Sequence, residues 1–274
     1  MTTRVLLLGG HGKVSQLITP LILSRSWQLS SLIRDPAQKP TISALGSNQP
    51  GHLDVLVSSL EEINSQDQAQ KVIDSTSPTY IVWSAGSGGK GGSQRTKAVD
   101  QDACIAFIRA AAATPSVSKF ILISYVGSRK YQAPWWTEEE WKATQEVNDG
   151  VLKNYYPAKL AADEALSASY VKGMSGQVGI SLRPGTLTED EGASKVMLGE
   201  TVARGKVPRE DVARVAVELL ANEEVESCWL DLLEGDENIA SAVKRCVKEK
   251  VDCSEDSEHS GFVNISGQEP TNVR

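Results

Sequence analysis

Short apolar runs alternate with segments whose apolar residues recur every three or four positions, almost from the first residue onward. Residues 5–8, 29–33, 53–57, 80–83, 120–123, 178–182 and 229–233 are four to five residues long and mostly apolar. That is the pattern of strands buried on both faces. Between them, residues 13–22, 100–113, 160–169, 212–220 and 239–247 carry helical periodicity. Pro20 predicts a kink or a shifted boundary in the first of these. Thr137 followed by Glu138, Glu139 and Glu140 reads as a capping box that opens another helix. Strands separated by helices predict an α/β fold: a doubly wound, Rossmann-like parallel sheet with helices on both faces. Periodicity fades after residue 251. Residues 1–251 are therefore expected to form one dinucleotide-binding domain with a small C-terminal substrate lobe. Residues 252–274 are expected to form a polar, flexible tail, with an acidic interaction tail as the alternative.

The first strand runs straight into Gly9-Gly10-His11-Gly12-Lys13-Val14-Ser15. Glycines at this point let the backbone approach a pyrophosphate, and the following helix aims its unpaired N–H groups at the phosphates. Gly10-x-Gly12-x-x-Ser15 matches the dinucleotide fingerprint except at its last position, and Gly9-x-x-Gly12 fits the spacing of short-chain dehydrogenases. The second strand ends in Arg34-Asp35-Pro36. A guanidinium here can grip the 2′-phosphate of NADP(H), so NADP(H) is expected over NAD(H). Asp35 could instead serve the ribose hydroxyl of NAD, and an exposed Arg-Asp turn is the third reading.

Charge narrows the partners. The chain of 274 residues carries 28 Lys and Arg against 35 Asp and Glu, a net charge of −7. That argues against nonspecific nucleic-acid binding, which needs basic surface. Four cysteines lack Cys-x-x-Cys spacing, and no His/Cys cluster suggests a metal. No apolar run approaches the length of a membrane helix or a signal-peptide core. The expectation is a cytoplasmic monomer or homodimer that takes a small-molecule substrate, or none, and binds neither nucleic acid nor membrane.

Taken together, Leu8 to Val14, Ile33 to Pro36, Leu53 to Val55, Ser84-Ala85-Gly86, Phe120 to Ser124, Tyr155 to Lys159, Leu182 to Leu187 and Val207 to Ala213 resemble, in order, the atypical short-chain dehydrogenase/reductases. These are NAD(P)H-binding proteins related to the NmrA-like and flavin-reductase-like groups. The resemblance covers roughly residues 4 to 250. It implies that Asp54 and Val55 contact the adenine. Ala85, Gly86 and the loop 88–92 would lie beside the ribose and pyrophosphate. Pro184, Gly185 and Leu187 would flank the nicotinamide, and Asp211 would be structural.

Tyr155 and Lys159 have Tyr-x-x-x-Lys spacing, which puts them on one helical face. A lysine ammonium beside a phenol is expected to lower its pKa toward use as a proton donor, and Lys159 could also hold the ribose. The spacing also arises by chance, and Tyr156 is a neighbouring candidate. Ser124, at the end of the fifth strand, is the candidate third catalytic group, with the buried residue of the strand end as its other reading. Where active relatives carry a further serine, this chain has Tyr125, so the triad is altered. The aromatic residues Tyr131, Trp135, Trp136 and Trp141 either cap a substrate pocket or anchor their connection. The leading reading is an oxidoreductase passing hydride between NADP(H) and a small carbonyl or quinone-like compound. A non-catalytic protein that senses NAD(P) redox state is the competitor, and an epimerase or lyase using the cofactor transiently is a third option.

Overall fold

The computed structural model describes residues 2–86, 92–172, 174 and 176–254. The chain opens with β1 (Arg4–Leu8), α1 (Lys13–Ser24), β2 (Gln28–Ile33), α2 (Lys39–Ala44), β3 (His52–Val57), α3 (Gln66–Thr76) and β4 (Tyr80–Trp83). There follow α4 (Gly92–Thr96), a π-helical stretch (Lys97–Ala103), α5 (Cys104–Ala112), β5 (Lys119–Ile123), α6 (Glu138–Asp149) and α7 (Tyr155–Ser169). The last third contributes β6 (Val178–Pro184), β7 (Thr186–Thr188), β8 (Lys195–Gly199), β9 (Lys206–Pro208), α8 (Arg209–Ala221), β10 (Cys228–Glu234), β11 (Glu237–Asn238) and α9 (Ile239–Glu249).

Nine strands form one sheet in the order β3-β2-β1-β4-β5-β6-β10-β8-β11. It is parallel from β3 through β10, and β8 and β11 add antiparallel pairings at the far edge. The order reverses between β1 and β4, which opens a crevice at the carboxyl ends of those strands. β1 shows why the strands read as unbroken apolar runs. Val5 and Leu7 face the core beneath α1, α8 and α9, while Leu6 and Leu8 face the core beneath α3, α5 and α7. Each fully buried leucine contributes about 2 kcal/mol of transfer free energy.

α1 is continuous through Pro20, from Lys13 to Ser24. In the C-terminal third, β6, β10, β8 and β11 extend the central sheet, while β7 pairs with β9 apart from it. The packed body runs past residue 251. Cys253 is buried, its N–H donates to Trp229 O at 2.9 Å, and its carbonyl accepts from Arg129 Nη1 at 2.7 Å. One apolar residue in a polar stretch was too weak a signal to place that contact. Residues 255–274 of the expected tail lie outside the described residues.

Thr137 caps α6 as the sequence predicts. Its side chain accepts from Glu140 N, and the Glu140 carboxylate accepts from Thr137 N. The tryptophans resolve in favour of anchoring. Trp135 and Trp136 both donate to Thr201 O and flank the Arg129 guanidinium, while Trp141 packs on Trp136.

Candidate active site

The crevice at the reversal point continues into two cavities, so that one trench runs across the carboxyl ends of β2, β1, β4, β5 and β6. Its first section holds about 210 Å³ and is bounded by the glycine loop, Arg34, Leu60, Glu61 and Arg95. The middle section, about 630 Å³, shares Gly12, Ser84, Ala85 and Gly86 with the first and reaches Ser124, Tyr155 and Arg209. The inner section, about 390 Å³, shares Ser124, Leu152, Tyr155 and Leu187 with the middle and extends to Tyr125, Asn148, Pro184, Gly185 and Arg204.

The glycine loop is built for close approach. Gly9 has φ +88°, and a Cβ there would lie 2.5 Å from Ala85 Cα, so only glycine fits. Gly10 packs against β2, where a Cβ would overlap Ser31 Oγ, and so it sits behind the trench. Gly12 lines both outer sections, and a Cβ on it would lie 3.1 Å from Gly9 O at the floor of the cradle. Gly12 also caps α1 without a side-chain hydrogen bond, and the first turn carries no acidic residue. The N-terminal N–H groups of α1 are thus left to a ligand. Ser15 Oγ is buried there with no hydrogen-bond partner in the protein. A cradle that a side chain would fill, an uncapped helix N-terminus and an orphaned hydroxyl all fit a dinucleotide pyrophosphate. His11, Lys13 and Val14 line the same cradle, and Ala85 and Gly86 face it from the segment just after β4. Of loop 88–92 only Gly92 lies within the described residues, and it lines the middle section.

Arg34 lines the outer section, and its guanidinium meets Glu61 Oε1 at 3.1 Å. Arg95 Nε meets the same oxygen at 2.8 Å. Burial is the largest single influence on Glu61 and works against its ionisation, but the hydrogen bonds and charge of Arg34 and Arg95 together outweigh it and hold the carboxyl below the ordinary range. Asp35 turns away, capping the short 3₁₀ turn after β2 by accepting from Ala37 N. Asp54 and Val55 do not reach the trench. They pair with Ser30 and Ser31 in mid-strand, short of the carboxyl edge, and Asp54 contacts exposed His52 at 3.2 Å. The wall they were expected to form comes instead from Leu60 and Glu61, on the 3₁₀ turn that follows β3.

Deeper in, Tyr155 stands at the first turn of α7, half-buried, on the boundary between the middle and inner sections. Its ring lies 5.4 Å from that of Tyr125. Burial pushes the Tyr155 phenol above its usual range. The Lys159 ammonium opposes this without cancelling it, and Asp100 and Asp163 reinforce it. The expected lowering by Lys159 is therefore outweighed by desolvation, and Tyr155 is a neutral phenol. Lys159 is buried beneath the trench and does not line it; its Nζ donates to Ile123 O at 2.8 Å. Burial draws the lysine pKa down, but Tyr155, Cys104, Asp100 and Asp163 more than offset this, so it stays charged. Lys159 acts on Tyr155 from below, and the structure does not place it where it was expected to hold the ribose.

Ser124 takes the second of its two readings, the buried residue at the strand end. It donates to Asp163 Oδ2 at 2.6 Å and is almost fully buried, so its hydrogen is not directed at a substrate carbonyl. Asp163 accepts as well from Ser128 at 2.6 Å and from Ser181 at 2.7 Å, and it meets Arg183 at 3.2 Å. Arg183 bridges on to Asp231, which pairs with Arg129 at 2.6 Å. This buried set of two carboxylates and two guanidiniums ties β5, β6, β10 and α7 together under the trench. Tyr125 donates to Asn148 Oδ1 at 2.8 Å, and burial raises its phenol as well. Tyr156 donates to Arg129 O at 2.8 Å and does not line the trench. Pro184 and Gly185 border the inner section, and Leu187 borders both inner and middle sections. Asp211 is structural: it is buried and accepts from Ala193 N and Ser194 N.

A sheet of this order with a glycine cradle at its reversal point defines a dinucleotide-binding α/β protein. The NAD(P)H-binding family model matches residues 9–223, and the chain belongs to that family. It is 31% identical over 243 residues to the uncharacterized sugar epimerase YhfK of Bacillus subtilis, covering 88% of this chain and 99% of that protein. It is 28% identical over 238 residues to the UPF0659 protein C216.03 of Schizosaccharomyces pombe, covering 86% and 91%. A solved structure from Bacillus halodurans, assigned as an NAD-dependent epimerase/dehydratase, superposes with a TM-score of 0.69 at 25% identity, covering 89% and 99%. Among the described residues no helix is long and apolar enough to cross a membrane.

Proposed function

We propose that this NAD(P)H-binding protein is an oxidoreductase that uses NADP(H) in preference to NAD(H) and reduces a small carbonyl or quinone-like compound. The observation that carries the reading is the position of Tyr155, whose side chain borders both the section continuous with the glycine cradle and the separate inner cavity. A proton donor is needed at just such a boundary between cofactor and substrate.

Gly12, the α1 N-terminus, Ala85 and Gly86 would hold the cofactor's pyrophosphate, and Arg34 with Arg95 would face a 2′-phosphate. When bound, the nicotinamide supplies the hydride. Tyr155 gives its phenolic proton to the carbonyl oxygen as the alcohol forms. Burial keeps that proton on Tyr155 at neutral pH, and the Lys159 ammonium steadies the phenolate left behind. Asp163 ties α7 to the end of β5 through Ser124 and Ser128 and to β6 through Ser181, which supports the position of Tyr155. A cytoplasmic setting belongs to the same reading and is supported by four buried, unbridged cysteines.

The test is a panel of aldehydes, ketones and quinones with NADPH and NADH, followed by nicotinamide absorbance. NADPH oxidation that depends on both the carbonyl and Tyr155 supports the proposal. Tight NADPH binding without turnover of any member favours a redox-sensing protein instead.

A further inference from the structure

The inner cavity restricts what can react at Tyr155. Its walls are mainly apolar: Val126, Val147, Leu152, Pro184, Leu187 and Ala203. Val147 stays partly exposed, and Val151, bordering the adjoining middle section, is 87% exposed, so the entrance has an apolar lip. Most polar groups in the cavity already have partners inside the protein. Ser124 donates to Asp163, Tyr125 to Asn148 and Thr144 to Glu140 O, while the Asn148 amide donates to Gly127 O. With those four donors already committed, a sugar ring would bury several hydroxyls against a mainly apolar wall with few free donors, at about 1–3 kcal/mol for each group left unpaired.

One ion stands at the exposed rim of this apolar wall. On a chain of net charge −7, no Asp or Glu lines the cavity among the described residues, and Arg204 does. Its guanidinium donates to the neutral carbonyl of Ala143. Among the described residues it has no carboxylate within ion-pair distance, whereas Lys13 and Arg209, on the adjoining section, are both paired with Glu189. A guanidinium at the edge of an apolar pocket, with donors remaining, matches a carboxylate in fork geometry.

We infer that the substrate of this site is a carbonyl compound on an apolar, ring-sized frame that ends in a carboxylate: the carbonyl is presented to Tyr155 and the carboxylate to Arg204. This deepens the oxidoreductase reading and rests on it for the role of Tyr155, but the binding claim can be tested without turnover.

The full chain loaded with NADP⁺ cannot reduce a ketone, so binding is measured apart from chemistry. Calorimetric titration with 4-oxo-4-phenylbutanoate, its primary amide and glucose gives three affinities. The keto acid is expected to bind roughly tenfold tighter than the amide, the scale of one charge-assisted contact at a partly exposed site, and glucose not measurably. In Arg204→Gln the acid should fall to within about twofold of the amide, while the amide and NADP⁺ keep their affinities, which also reports that the variant is folded. Equal binding of acid and amide to the native chain overturns the inference. So does an acid preference that survives Arg204→Gln, no binding of the acid, or glucose binding as tight as the acid. Arg204-dependent binding of the acid without NADPH turnover of any carbonyl would sink the oxidoreductase reading alone. Turnover of neutral carbonyls with no acid preference would sink only the carboxylate assignment.

Discussion

Ser124 donates its hydroxyl hydrogen to Asp163 at 2.6 Å, across the gap between β5 and α7. That bond makes Ser124 part of the scaffold beneath the candidate active site. Ser124→Ala should therefore leave carbonyl reduction within about threefold of the native rate, far from the 100-fold or larger loss expected for a group acting on the substrate. Asp163→Ala should behave differently. It removes the shared acceptor of three serines and one of the two carboxylates that face Arg183, and should cost about 3–5 kcal/mol in a denaturant titration. A Ser124→Ala variant as impaired in turnover as a tyrosine variant would return Ser124 to the reacting groups.

Burial raises the Tyr155 phenol, and the sign of the pH dependence follows. A proton donor works in its neutral form, and raising its pKa above the reference of about 10 moves the loss of that form to higher pH. kcat/KM for carbonyl reduction should thus stay flat from about pH 7 to pH 9, while the reverse reaction, which needs the phenolate, should rise through the same window. A decline in reduction with a midpoint near neutrality would show that Lys159 dominates over burial after all.

Most of the fold was legible because parallel strands buried on both faces leave continuous apolar runs, as in residues 5–8 and 120–123. β3 was the faintest, because it is an edge strand that stays partly exposed. The site was legible where backbone geometry demands a residue type. Gly9 at φ +88° and Gly12 in the cradle leave a sequence mark. Glu61 and Arg95 leave none, since each is an ordinary charged residue brought in by tertiary folding from a 3₁₀ turn and a short helix. Asp54 was misplaced because the resemblance put it on the third strand without fixing its distance from the carboxyl edge. Ser124 and Lys159 were identified as residues, but their burial and their bonds to Asp163 and Ile123 depend on packing that spacing alone does not encode.

Arg34 and Arg95 share Glu61, so a bound 2′-phosphate has to compete with a carboxylate. Arg34→Ala should weaken NADPH by about 1 kcal/mol, roughly fivefold in Kd, because the residue is half exposed and screened. NADH should change less than twofold. Glu61→Gln should tighten NADPH and leave NADH nearly unchanged. Fluorescence titration of both cofactors checks the pair, and equal changes for NADPH and NADH would remove the 2′-phosphate from the account.

Gly12 has an ordinary helix-capping conformation, with φ −63°, so a side chain there is not excluded by the backbone. Gly12→Val should therefore fold, with unchanged far-ultraviolet circular dichroism, yet bind NADPH at least 100-fold more weakly, since its branches occupy the pyrophosphate cradle. Full-strength binding would reduce the loop to a plain turn.

The central claim is that Tyr155 protonates a carbonyl at the boundary between cofactor and substrate. Single-turnover NADPH oxidation by a reactive carbonyl, in native protein and in Tyr155→Phe, tests it most directly. The substitution keeps the ring and its packing on Tyr125 and removes only the hydroxyl. The expected result is a rate lower by roughly 100-fold or more with NADPH affinity unchanged. An unchanged rate in Tyr155→Phe, with NADPH still bound, would contradict the account.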